Sequence, residues 1–118
     1  PPDRIIGSVG PTTSYRMDAF TPALIEHGLK AMIGKGSRAP EVIEAIKKYG
    51  AVYFASIGGI AALGAQRVTK AEIVAYEDLG PEAIKKLTIV DFPAIVINDA
   101  RGNDLYLSAR DQWRLASK

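Results

Sequence analysis

The sequence predicts a mixed α/β fold. Pro40 to Tyr49 carries apolar residues at helical spacing, and Ala51 to Ile57 is rich in the Val, Tyr, Phe and Ile of a buried strand. Glycine- or proline-bearing loops separate such segments along the whole chain. The 118 residues are read as one domain, 1–118, long enough to bury a core without a metal or disulfide.

Taken in order, Asp3 to Val9 reads as a short strand closed by Gly10-Pro11. A helix follows, with Thr21 as N-cap, Pro22 in the first turn, Leu24 and Ile25 facing inward and Gly28 as the stop. His27 lies one residue before that stop, where an imidazole interacts with the last carbonyls. Leu29 to Ile33 reads as a strand. In the helix Pro40–Tyr49, Val42, Ile43, Ile46 and Tyr49 form one stripe, Glu41, Glu44, Lys47 and Lys48 form a solvated face, and Gly50 ends it. After the strand Ala51–Ile57, Gly58-Gly59 opens a helix from Ile60 to Arg67 built of Ala61, Ala62, Gly64 and Ala65, small residues that suit close packing. Its start also has the N–H groups to hold an anion. Ala71–Tyr76 and Leu87–Val90 read as strands, with a short helix started by Gly80-Pro81 between them and Ala83 and Ile84 inward. Ala94–Ile97 and Leu105–Leu107 read as a hairpin around a polar loop, and the tail from Ser108 shows no clear period.

Composition excludes several chemistries. With no cysteine and one histidine, the chain has no disulfide, thiol nucleophile, iron–sulfur ligands or zinc site of its own. Its 15 basic and 13 acidic residues are spread without the clustered, aromatic-laced stripe of a nucleic-acid binder. Ala51 to Leu63, the longest apolar stretch, is broken by Ser56 and Gly58-Gly59 and is too short to span a bilayer, and no signal-peptide pattern opens the chain. The expectation is a cytoplasmic protein without membrane or nucleic-acid partners. Because Pro1 stands almost on a strand, an N-terminal segment is expected to be missing.

Two loops hold the candidate chemistry. Gly10-Pro11-Thr12-Thr13-Ser14-Tyr15-Arg16-Met17-Asp18 sets hydroxyls and a guanidinium on one turn. Turn and cap chemistry explains most of these residues, while the same groups suit a carboxylate or phosphate. Gly34-Lys35-Gly36-Ser37-Arg38 lacks the glycine spacing and the Ser or Thr after Lys that a P-loop requires, and lacks the third glycine of a dinucleotide fingerprint. What remains is a lysine between two glycines, able to deliver an ammonium group from a tight turn.

Five phrases in order carry a family resemblance: Gly10 to Asp18, Gly34-Lys35-Gly36, Tyr53-Phe54-Ala55-Ser56-Ile57-Gly58-Gly59-Ile60-Ala61-Ala62-Leu63, Glu77-Asp78-Leu79-Gly80-Pro81-Glu82-Ala83-Ile84 and Asp91-Phe92-Pro93-Ala94-Ile95-Val96. Over Ile5 to about Tyr106 the chain resembles the β subunit of class I fumarases and L(+)-tartrate dehydratases, equivalent to the C-terminal domain of the single-chain enzymes. Tyr15 departs from the small residue associated with its position.

The resemblance implies a swivelling β/β/α domain, a mixed sheet with helices on one side, within an iron–sulfur hydro-lyase for a small hydroxy-dicarboxylate. It places the [4Fe–4S] cluster on a partner α subunit and none on this chain, so a hetero-oligomer is expected. It makes Thr12 the proton-transfer hydroxyl, Arg16 a carboxylate clamp, Lys35 a second carboxylate contact, and Thr13 and Ser14 hydrogen-bond donors or shapers of the loop. A threonine hydroxyl is a poor base unless donors or cations stabilise its alkoxide, so the Thr12 role is weaker than the binding roles. Fumarate is the expected substrate and tartrate the alternative; no residue decides between them. Rivals of another class are a non-catalytic anion-binding regulatory module and a pure interaction domain.

Overall fold

The computed structural model describes residues 5–56, 59 and 61–117. In chain order these form a 3₁₀ helix Ser14–Met17, then α1 Thr21–Glu26, β1 Ala31–Gly34, α2 Pro40–Tyr49, β2 Val52–Ala55, α3 Ala61–Gln66, β3 Val68–Ala75, a second 3₁₀ segment Glu77–Glu82, β4 Ile84–Ile89, β5 Ile95–Asn98 and α4 Leu105–Ala116. They divide into two compact units, Pro1–Gly10 with Gly58–Pro93 and Pro11–Ile57 with Ala94–Lys118.

The second of these units holds a three-stranded sheet in the order β1-β2-β5. β1 and β2 are parallel, with Met32 opposite Tyr53, and β2 and β5 are antiparallel, with Phe54 opposite Val96. The sheet is therefore mixed and the fold class is the predicted α/β. Parallel neighbours need a crossover, and α2 supplies it. Pro40 sits in its first turn and Gly50 ends it at φ 69°, the left-handed geometry a glycine adopts without cost. Val42, Ala45 and Ile46 of α2 pack with Ile25 of α1, Ala51, Tyr53 and Ala55 around β2, and Ile97 of β5, to make the core. Burying such side chains stabilises by about 1.5–3 kcal/mol for each large aliphatic.

In the other unit β3 and β4 form an antiparallel pair, with Ala71 opposite Leu87. α3 packs closely there, as its small residues suggest: a Cβ on Gly64 would collide with the Val9 carbonyl and press on the Phe92 ring. Gly58 and Ile60, expected to open this helix, lie outside the described residues, as do Asp3 of the predicted first strand and Ile57 at the end of the predicted Ala51–Ile57 strand.

Several local expectations are corrected. Ile5 to Val9 is not a strand; Val9 N–H bonds to Ala61 O at 3.1 Å, and no ladder forms among the described residues. Thr21 is not the N-cap but the first residue of α1, its hydroxyl donating back to Met17 O at 2.7 Å, because the 3₁₀ helix runs almost directly into α1 and supplies the carbonyls. Ile25 is buried as expected, whereas Leu24 is 49% exposed. The helix expected after Gly80 is cut to a single 3₁₀ turn, Ala83 N–H donating to Gly80 O at 3.0 Å: Gly80 at φ 57°, ψ −116° kinks the segment, Ala83 is extended, and Ile84 begins β4 opposite Ala75. Leu105 to Leu107 is the start of α4 and not a hairpin strand, because the Asp104 carboxylate accepts from Tyr106 N and Leu107 N and caps the helix. The tail that lacked a clear period is the rest of that helix.

Candidate functional site

Where β1 ends, the chain runs beside the segment that follows Pro11. Thr13 and Lys35 form a parallel bridge, Lys35 N–H donates to Thr12 O at 3.2 Å, and Ser14 N–H donates to Lys35 O at 3.0 Å. Three of the four predicted site residues, Thr12, Thr13 and Lys35, are thus brought onto adjacent backbone. Gly34 makes the approach possible, since a Cβ there would collide with the Ser14 hydroxyl. Gly36 turns the chain out of the bridge at φ 87°. Lys35 is exposed, and so is Thr12. Arg16 lies within the 3₁₀ helix and is exposed, and Tyr15 beside it is 63% exposed. Among the described residues neither Arg16 nor Lys35 has a hydrogen-bond or ion-pair partner through its side chain. His27 does not join them: its Nδ1 lies 2.8 Å from Ala23 O, the helix-end role its position predicts.

A concavity of about 350 Å³ opens beside the bridge. Thr12, Thr13 and Ser14 form its polar edge, and Leu24, Leu29 and Met32 contribute an apolar wall; Arg16 and Lys35 do not line it.

Beneath the two loops lies a polar cluster that no sequence motif marks. Asp18 Oδ1 accepts from Arg38 Nε at 2.7 Å, with only 9% and 3% of their side chains exposed. Asp18 Oδ2 accepts from Ala39 N at 2.6 Å, just ahead of α2, where a carboxylate satisfies an orphan donor and complements the helix dipole. Arg38 also donates to Thr21 Oγ1 at 3.0 Å and stacks 4.9 Å over the Tyr53 ring. The Tyr53 hydroxyl lies 2.9 Å from Gly36 O and 3.0 Å from Ser14 Oγ. Burial of the phenol pushes its pKa above the usual tyrosine range, against the opposing Ser14 hydrogen bond and the Arg38 charge, so it stays a neutral donor. A lone tyrosine in an apolar strand must find a partner for its hydroxyl, and that was the available signal for this cluster. Elsewhere Ser56 Oγ and both amide atoms of Asn98 are buried without a hydrogen-bond partner among the described residues.

Fold and loops together define an α/β module that presents hydroxyls and cations from two adjoining loops, one leading into the 3₁₀ helix and the other leaving β1. The chain belongs to the fumarase C-terminus family, which matches residues 1–109. It is 47% identical over 102 residues to the anaerobic class I fumarate hydratase of Escherichia coli K12, covering 85% of this chain and 19% of that protein. It is 43% identical over 102 residues to the mitochondrial fumarate hydratase 1 of Leishmania major, covering 85% of this chain and 19% of that one. A Methanocaldococcus jannaschii protein named as an L(+)-tartrate dehydratase subunit beta is 40% identical over 103 residues, covering 84% of this chain and 53% of its own length. The chain thus spans about one fifth of the fumarate hydratases it matches.

Proposed function

We propose that this chain is the β subunit, or the equivalent domain, of a cytoplasmic iron–sulfur hydro-lyase interconverting fumarate and malate, and that it acts with a cluster-bearing α partner in a hetero-oligomer. The observation that carries the reading is the Thr13–Lys35 bridge with its two flanking hydrogen bonds, which joins the hydroxyl loop to the lysine loop while leaving Lys35 exposed.

The donor set does not fit a cluster held by this chain: it has no cysteine, and among the described residues no group of His, Asp and Glu could hold a metal ion. In this proposal the cluster lies on the partner. This chain's share is to hold the substrate and move a proton. Arg16 offers a planar pair of donors to one carboxylate and Lys35 a compact ammonium to the other. Thr12 Oγ1 takes the C–H proton next to a carboxylate during dehydration and returns it during hydration. Its alkoxide needs a nearby cation, and Lys35 is the one whose backbone is bonded to Thr12. Thr13 hydrogen-bonds the substrate from the same turn.

Tartrate is the second reading, favoured by the tartrate dehydratase relative, of which this chain covers the larger share. The test is turnover of fumarate and of tartrate by the chain assembled anaerobically with its partner. Fumarate hydration is expected, with Thr12→Ala lowering kcat by about 10²-fold or more at little changed KM. Wild-type kcat in Thr12→Ala would remove its proton role. Turnover of neither substrate by an assembly with an intact cluster would leave the non-catalytic anion-binding module.

A further inference from the structure

The two loops assigned to the substrate converge on one buried side chain that the assignment leaves unused. Tyr53 is 0% exposed. A carbonyl oxygen only accepts, so the single phenolic proton goes to Gly36 O, and Ser14 then donates to the phenol oxygen. One hydroxyl thereby fixes the residue that follows Lys35 and a residue midway between Thr12 and Arg16. A second anchor lies farther along both loops, where Asp18 is held by Arg38 and Ala39 N. Arg38 in turn stacks on the Tyr53 ring. Each substrate-facing residue therefore sits within two positions of an anchored one: Thr12 and Arg16 beside Ser14, Arg16 also beside Asp18, and Lys35 beside Gly36.

We propose that Tyr53 is a positioning residue of the dicarboxylate site, its hydroxyl setting the Thr12–Arg16 turn and the Lys35 turn in register with each other. This rests on the roles given above to Thr12, Arg16 and Lys35. The ring belongs to the core and would pack equally well as a phenyl group, so the hydroxyl's work is separable from burial. What the hydroxyl adds is the spacing between a carboxylate contact and a proton-transfer group, and a misplacement of about 1 Å in such a site can cost about 10²-fold.

The test is Tyr53→Phe in the assembled enzyme, with Ser14→Ala and the double variant beside it. Expected is a rise of about tenfold in KM for the dicarboxylate at little changed unfolding midpoint, with Ser14→Ala adding little on the Tyr53→Phe background because both cut the same link. A lowered midpoint with wild-type KM and kcat would mark Tyr53 as structural only and overturn the proposal. Hydrogen exchange gives a readout that does not depend on turnover. The Ser14 and Lys35 amides are expected to exchange at least about tenfold faster in Tyr53→Phe while those of α2 keep their protection, and unchanged exchange at both amides overturns the role of Tyr53. Absence of turnover in the unsubstituted enzyme would instead sink the hydro-lyase reading, so the two failures are told apart.

Discussion

Around the end of β1 the chain keeps its cations in two different ways. Arg38 is spent inside, paired with Asp18, bonded to Thr21 and stacked on Tyr53. Arg16 and Lys35 stand on the same two loops, exposed and without a side-chain partner among the described residues. The contrast separates rigidity from chemistry. A guanidinium whose donors already meet a carboxylate and a hydroxyl has little left for a ligand, whereas a cation held on anchored backbone with its head group unspent is ready for one. Gly34 and Gly36 let the backbones come close enough for the arrangement to form.

The strongest way to break the contrast is to exchange the two kinds of cation in a stability measurement. Arg38→Ala leaves Asp18 buried and unpaired, and should cost about 3–5 kcal/mol in urea unfolding. Arg16→Ala should stay within about 0.5 kcal/mol of wild type, as exposed substitutions do. Equal costs at the two positions would show that the loops are not divided as described.

A smaller effect sharpens the buried side of the comparison. The Tyr53 pKa is raised in the folded state from the ordinary 10.0, mainly by burial. The folded chain therefore holds this proton more tightly than the unfolded chain. Its contribution is fully present below the ordinary tyrosine pKa and is lost as pH rises above it, toward the higher folded value. Thermal unfolding midpoints should fall from about pH 10 upward, and Tyr53→Phe should fall less steeply over the same window. Identical slopes would mean that the phenol is not held as the geometry indicates.

Much of the fold was legible because its signals are local. α2 lies between the boundaries its sequence predicts, since a proline, a clean apolar stripe and a terminal glycine all act within one element. β2 was legible from its β-branched and aromatic run. What failed was decided by one side chain or one backbone angle: the Asp104 cap turned an expected strand into α4, and Gly80 replaced an expected helix with a kinked turn. The site divides similarly. The residue types of the hydroxyl loop are mostly explained by turn and cap chemistry and also suit an anion, and the family resemblance assigned Thr12, Arg16 and Lys35. Neither local pattern nor composition carries the bridge between Thr13 and Lys35 or the pair between Asp18 and Arg38, because both join residues about twenty positions apart. The Tyr53 ring signals only a strand former, and its hydroxyl bond to Ser14 spans 39 positions.

The exposed side of the comparison carries the central claim, that Lys35 and Arg16 hold the two carboxylates of one substrate. Its most direct test is the inhibition constant of succinate, a dicarboxylate that cannot be hydrated, on the assembled enzyme with Lys35→Ala and with Arg16→Ala. Each substitution should weaken succinate about tenfold or more, the equivalent of losing about 1.5–3 kcal/mol of charge-assisted hydrogen bonding, at unchanged unfolding midpoint. A wild-type inhibition constant in both variants would contradict the claim.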